Sequence, residues 1–173
     1  MFWKFEIRMI YLGTTTNWFR SKIKFMSKVF KLGISKDNNK NIIEVDTIEV
    51  LANKGVVGDR HFDEYNDPYN QLTLIEAENI DYYNAKYGLD IPYKDFRRNI
   101  ITKGISLNDL IGKKLKIGKA IAEGVDLCRP CRHLTEVLNQ NNILKEFLRR
   151  GGLRCQILNS SKISINDEIE IIS

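Results

Sequence analysis

The sequence predicts a mostly β protein, a closed barrel or a sandwich, with two or three helices at its periphery. Three observations lead there. Short apolar segments with period-2 alternation, rich in β-branched residues, recur from Lys28 to the end of the 173-residue chain. Polar and glycine-containing turns break them at close spacing, as in barrels and sandwiches. Only a few stretches carry a helical period.

The elements follow in order. "KVFKLGI" from Lys28 sets Phe30, Leu32 and Ile34 on one apolar face. "SKDNNKN" is a polar turn, and "NIIEVDTIEVL" resumes the alternation with Ile43, Val45, Ile48 and Val50. A long loop, "NKGVVGDRHFDEYNDPYNQ", leads to a helix in "LIEAENIDYYNAKYG", where Ile80, Tyr83 and Tyr87 share a face and Gly88 is the expected stop. Strands are expected in "RRNIIT", "KKLKIG" and "KAIAEGV". "NILKEFLRR" reads as a second helix with Ile143, Leu144, Phe147 and Leu148 on one side, ending at Gly151-Gly152. Ile163 and Ile165, then Ile169 and Ile171, flank an Asn166-Asp167 turn and predict a terminal hairpin.

A chain of this length buries roughly two-thirds or more of its unfolded surface, so folding requires neither disulfides nor a structural metal. Its three cysteines form no secreted disulfide framework, and a reducing, cytoplasmic setting is expected. The formal net charge of +5 is unevenly placed: residues 1–45 hold nine Lys/Arg against three Asp/Glu. The basicity therefore belongs to a leader, residues 1–27, and the domain at 28–173 is near neutral. Nucleic-acid binding would require a basic face built into the fold, so no nucleic-acid partner is expected. No apolar run reaches the roughly 18 residues of a membrane span. "MFWKFEIRMIYLG" is interrupted by Lys4, Glu6 and Arg8, so it is no signal-peptide core. Met26 opens a stretch that reads like a natural start, and residues 1–25 are expected to be dispensable for folding.

The chemistry concentrates in "DLCRPCRHL", Asp126 to Leu134. A zinc site would need Cys128, Cys131, His133 and the distant Cys155, an irregular set. A dithiol oxidoreductase would place Cys-x-x-Cys at a helix start in a parallel βαβ fold. Buried free cysteines also serve as small apolar residues, the preferred reading for Cys128 and Cys155. Cys131 differs, because Arg129 and Arg132 flank it and nearby positive charge favours the thiolate that attacks or ligates metal. A soft anion in a basic pocket suits a metal carried by an anionic cofactor. In "GVVGDRH", Asp59 could orient Arg60 or His61, and Arg60 could hold a phosphate bidentately. In "FRRNI", Arg97 and Arg98 would alternate across a strand, sending one toward a cleft beside Asn99. "RRGGLRCQIL" brings Arg154 to a strand start after a double glycine.

In order and spacing, "GVVGDRHF", "LTLIEAE", "FRRNIITKGISLNDLIGKKLKIGKA", "LCRPCRHLTE", "RRGGLRCQIL" and "ISINDEIEI" resemble the MOSC domain, the module at the C-terminus of molybdenum-cofactor sulfurases and of free-standing small proteins. The resemblance spans about residues 28–173. It implies a closed β-barrel of the MOSC type that binds the molybdenum cofactor, a pterin dithiolene with a phosphate. It also implies that Cys131 is the metal ligand and catalytic residue, with Asp59, Arg60, His61, Arg98, Asn99, Arg132 and Arg154 as candidate cofactor contacts. The reaction implied is reduction of a small N-hydroxylated substrate, with electrons from a partner redox protein. A sulfur carrier using a Cys131 persulfide is the alternative, and a zinc-stabilised binding module the second. Pyridoxal phosphate enters only by association with the desulfurase domain of full sulfurases, which nothing in these residues resembles. Two positions depart from the family pattern. Asn70-Gln71 stands where relatives commonly carry a basic residue, and Asn166-Asp167 stands where they carry Gly-Asp.

Overall fold

The computed structural model describes residues 26–37, 42–64 and 66–172. The expectation of a dispensable leader falls almost wholly outside them. In chain order the elements are β1 (Lys28–Ile34), β2 (Ile43–Val45), β3 (Thr47–Leu51), β4 (Gly55–Val56), β5 (Leu72–Glu76), α1 (Ala77–Tyr87), a 3₁₀ turn (Tyr93–Phe96), β6 (Ile100–Lys103), β7 (Lys114–Ile117), β8 (Ala120–Leu127), α2 (Arg132–Leu138), α3 (Ile143–Glu146), β9 (Leu153–Ile157), β10 (Ser161–Ser164) and β11 (Ile169–Ile172). The fold is mostly β with three short α-helices, α2 being the one that the sequence pattern did not reveal.

The strands form an eight-stranded sheet, β11-β7-β8-β9-β5-β6-β1-β2, and a three-stranded sheet, β10-β3-β4. The expected closed barrel is corrected here: the large sheet curls into half a barrel, and its edges β11 and β2 do not pair. At the corner where closure would begin, β1 meets the turn before β11 and a single antiparallel bridge, Lys28 to Glu168, in place of a full ladder. Val29 N–H donates to Asp167 O (2.9 Å), and Val29 O accepts from Asn166 N–H (2.9 Å). The expected terminal hairpin is corrected for the same reason. β10 and β11 both exist, but β10 pairs with β3 and β11 with β7, so the Asn166-Asp167 turn carries the chain from one sheet to the other.

Two apolar layers hold the fold. Between the sheets, Leu32, Ile48, Val50, Leu72, Leu74, Ile100 and Ile163 are among those buried together. On the other face of the large sheet, Ile75, Ile80, Tyr83, Phe96, Ile101, Leu134, Ile143 and Phe147 pack under the helices. β5 lies between these layers and is therefore apolar on both faces, as expected of a strand covered on both sides. This explains why Leu74, Ile75 and Glu76, read from the sequence as the helix start, are strand, and why α1 begins only at Ala77. Gly88 ends α1 as expected.

Three other expectations shift. The β1–β6 register slips between Val29 and Lys31, a bulge that turns Phe30 away from Leu32. Phe30 stands edge-on to Tyr93 at 5.4 Å instead. Ile43, expected inside, is exposed on edge strand β2, and Ile42 is buried in its place. "NILKEFLRR" makes only the single turn of α3: Ile143 and Phe147 are buried, whereas Leu144 and Leu148 face solvent.

Glu76 ends β5 with its carboxylate buried. Oε1 accepts from Leu107 N–H at 3.0 Å, while Oε2 has no hydrogen-bond partner. Burial raises its pKa above the ordinary value. A raised carboxylate pKa contributes stability while the group is protonated, and that contribution falls as pH climbs above the unfolded value near 4.3. Glu76→Gln is expected to flatten this part of the stability profile, measured by urea titrations at pH 4.5 and 7. A decline as steep as in wild type would exclude Glu76 as its source. Among the described residues, no helix is long and apolar enough to cross a membrane.

Candidate functional site

At one rim of the large sheet, the starts of β5 and β9, the residues before β6 and the end of β8 converge with the loop after β4. Together they enclose a cleft of about 230 Å³, lined by Ile42, Asp59, Arg60, His61, Asn70, Thr73, Arg97, Arg98, Asn99, Cys128 and Arg154. Strand register explains the convergence. Thr73 on β5 lies opposite Arg154 on β9, and Asn99 directly precedes the β6 residue paired with Leu74.

A polar frame fixes the loop. Asp59 Oδ2 accepts from Ser35 N–H (3.0 Å) and from Asn99 Nδ2 (3.1 Å), and Asp59 Oδ1 accepts from His61 N–H (3.1 Å). Asn99 Oδ1 accepts from Thr73 N–H (3.1 Å) and Thr73 Oγ1 (2.9 Å). The Asp59 carboxylate is thus occupied in holding backbone, and Asn99 ties the loop to β5. His61 Nε2 lies 3.0 Å from the Arg60 Nε–H that donates to it, so the ring proton sits on Nδ1 and is donated to Glu64 Oε2 at 2.6 Å.

The guanidiniums surround this frame. Arg98 Nε donates to Gly151 O (3.0 Å) and Nη1 to Phe96 O (3.1 Å). Arg154 Nη1 donates to Tyr69 O (2.8 Å) and Asn70 Oδ1 (2.9 Å). Arg97 follows the 3₁₀ turn with φ 60, a left-handed conformation uncommon for a side chain of its size. The alternation of Arg97 and Arg98 across a strand is therefore corrected. Both precede β6, and the turn lets both border the cleft. Arg60 Nη1 is buried with no hydrogen-bond partner. Burial lowers the Arg60 pKa from its ordinary value; Asp59 opposes the shift, and the charges of Arg97 and Arg98 add to it. Four guanidiniums meet one carboxylate in the lining, and one of them, Arg60, has a buried Nη1 without an acceptor. Such a site suits an anion with several oxygens.

The structure brings together six of the residues expected from sequence: Asp59, Arg60, His61, Arg98, Asn99 and Arg154. Two lie apart. Arg132 is exposed and reaches Glu136 (3.4 Å) along α2. Cys131 is exposed at the cap position before α2 and is not part of the lining. Cys128, read from sequence as a small apolar residue, is indeed buried, but it also borders the cleft. Cys155 is buried, and burial raises its thiol pKa, with Cys128 contributing. Thr73 was missed. Its signal is only its placement two residues past the Asn70-Gln71 pair, and strand pairing is needed to see it facing Asn99.

Comparison with known proteins accords with this arrangement. The MOSC domain family matches residues 58–170. No curated protein sequence matches the chain. Among solved structures, YuaD from Bacillus subtilis is similar with a TM-score of 0.72 at 19% identity, covering 85% of this chain and 96% of that one. YiiM from Geobacillus stearothermophilus is similar with a TM-score of 0.68 at 14% identity, covering 85% and 75%. YiiM from Escherichia coli has a TM-score of 0.62 at 20% identity, covering 85% and 68%. At such identities the structures speak to the fold, and the family match speaks to descent. A family match across most of the chain, on a fold shared with these proteins, shows that the chain belongs to the MOSC domain family.

Proposed function

We propose that the arginine cleft holds the phosphate-bearing molybdenum cofactor and that the protein reduces small N-hydroxylated molecules. The observation that carries this reading is the buried, unpartnered Arg60 Nη1 in a lining of four guanidiniums and one carboxylate. A phosphate oxygen supplies the acceptor that Arg60 Nη1 lacks. Arg98 and Arg154 are each anchored to backbone carbonyls through part of their donor set, and a guanidinium carries five N–H donors, so both keep donors for the ligand. Asn99 and Asp59 orient: their side chains are committed to Thr73, Ser35 and the His61 backbone. His61 holds its proton toward Glu64 and presents Nε2 to Arg60, which fixes the Arg60 side chain along the cleft. When bound, the cofactor supplies two-electron oxygen-atom-transfer chemistry, fed by a partner redox protein. The family resemblance gives the metal to Cys131.

A sulfur carrier is a second reading, favoured by one observation: Cys131 is exposed and outside the cleft lining, where a persulfide could be handed over. The zinc-stabilised module finds no support, because no group of three or more His, Cys, Asp or Glu among the described residues is arranged to hold a metal.

The test is metal content by plasma mass spectrometry, on protein made in a host competent for the cofactor. Wild type is expected to carry molybdenum near one per chain. Cys131→Ala is expected to fold normally, since the Cys131 side chain makes no capping hydrogen bond, and to lose the metal. Arg60→Gln removes a charge-assisted contact of about 1.5–3 kcal/mol and should retain roughly 10- to 150-fold less cofactor. Molybdenum retained in full by both variants would refute the reading. A persulfide on Cys131 without metal would select the carrier.

A further inference from the structure

The two cysteines of Cys128-Arg129-Pro130-Cys131 are not equivalent in the fold. Cys131 is exposed and opens α2. Cys128 follows β8, is 2% exposed, and borders the cleft beside Arg60 and Arg98. Its backbone is gripped from two sides. Cys128 N–H donates to Gly152 O at 2.7 Å. Its carbonyl abuts Gly151 so closely that a Cβ there would lie 1.9 Å from the Cys128 oxygen. Gly151 also accepts the Arg98 Nε hydrogen bond at 3.0 Å. The same glycine pair therefore sets both the cysteine and a guanidinium on the cleft wall, and neither can shift without the other.

We propose that Cys128 presents a second thiol to the anionic group seated on the cleft arginines, in addition to Cys131. The inference rests on the cofactor reading and deepens it. Arginines select the hard phosphate end of such a group, and a cysteine held by its backbone on the same wall would offer sulfur to a soft, metal-bearing end. Apart from Ile42, Cys128 is the least polar residue of a lining otherwise made of charged, amide, imidazole and hydroxyl groups. A residue serving only as apolar filler has no need to border that surface.

The first test uses the isolated full chain without added cofactor. Carboxymethylation by iodoacetate is followed at each cysteine by peptide mass spectrometry, with and without inorganic phosphate. Phosphate on the arginines is expected to slow labelling of Cys128 several-fold and to leave the rate at Cys131 unchanged. Equal labelling of Cys128 in both buffers overturns the proposal. So does a Cys128 that resists iodoacetate altogether while Cys131 reacts. The second test is molybdenum content. Where wild type is loaded, Cys128→Ser is expected to retain at least roughly tenfold less, the lower end of what losing a neighbouring partner costs a metal site. Unchanged loading overturns the second thiol and leaves the cofactor reading standing. Wild type without molybdenum overturns the cofactor reading, and phosphate protection then decides by itself whether the thiol faces the cleft. The same protection measurement decides if Cys128→Ser fails to fold.

Discussion

Gly152→Ala is expected to destabilise the protein by about 3–5 kcal/mol, enough to leave much of a marginally stable domain unfolded. Two separate costs meet at this position. Gly152 has φ +95, where a side chain is strained. A Cβ would also lie 1.8 Å from Leu74 O and 2.8 Å from its carbonyl carbon. Both atoms belong to the backbone of β5, the strand buried between the two apolar layers, so the clash has no flexible side chain to yield. Urea denaturation reads the effect directly. Gly58→Ala is the matched control: its φ of +79 is also positive, but no atom lies within 4 Å of the added Cβ. It should cost only the backbone strain, about 1–2 kcal/mol. Equal losses in the two variants would show that the contact with Leu74 contributes nothing.

Asn99→Ala is expected to cost about 3 kcal/mol and to weaken phosphate binding at the same time. Asn99 is 9% exposed, and its side chain joins three segments. It accepts from Thr73 on β5, and it donates to Asp59 (3.1 Å) and to Gly33 O on β1 (3.4 Å). Truncation leaves the Thr73 N–H and part of the Asp59 carboxylate without partners in a buried setting, and each such group costs about 1–3 kcal/mol. The second effect follows from the first. With Asp59 released from Asn99, the loop carrying Arg60 and His61 loses its tie to β5 and β6 and keeps its bonds to Ser35 beyond β1. Calorimetric titration with inorganic phosphate under fully folded conditions separates the two. An Asn99→Ala protein that is less stable yet binds phosphate as tightly as wild type would confine Asn99 to the fold.

The site was more legible in the sequence than the topology. "GVVGDRH", the arginine before β6 and Arg154 after the double glycine each mark a loop or strand start, and the parallel β5–β6 pairing with the staggered β5–β9 register brings them together. Cys131 was singled out by flanking charge. Yet charge adjacent in sequence is not charge adjacent in space: Arg132 reaches along α2 to Glu136, and Cys128, three residues earlier, is the one that borders the cleft. The fold misreadings share a physical root. Alternation reports which side chains face a core but not which neighbour supplies the hydrogen bonds, so β10 and β11 were paired with each other across their turn. Leu74, Ile75 and Glu76 lacked alternation because both faces of β5 are covered, and an apolar run without period 2 looks like helix. The bulge at Phe30 inverts a face with no local sign beyond the aromatic itself.

The strand order has a consequence for how the chain reaches this state. β1 lies against β6, β5 against β9, and β7 between β8 and β11, so the large sheet interleaves distant parts of the chain. The hairpins of β7 with β8 and of β3 with β4 can form locally, but the ladder joining the first to β5 must await β9, and the small sheet is completed only by β10. Loop closure is paid before these pairings return anything, which puts such topologies toward the millisecond-to-second end of single-domain folding. During synthesis, β5 emerges with both apolar faces bare and without the strand and helices that later cover it. That interval, rather than any feature of the finished molecule, is when this protein is most exposed to aggregation.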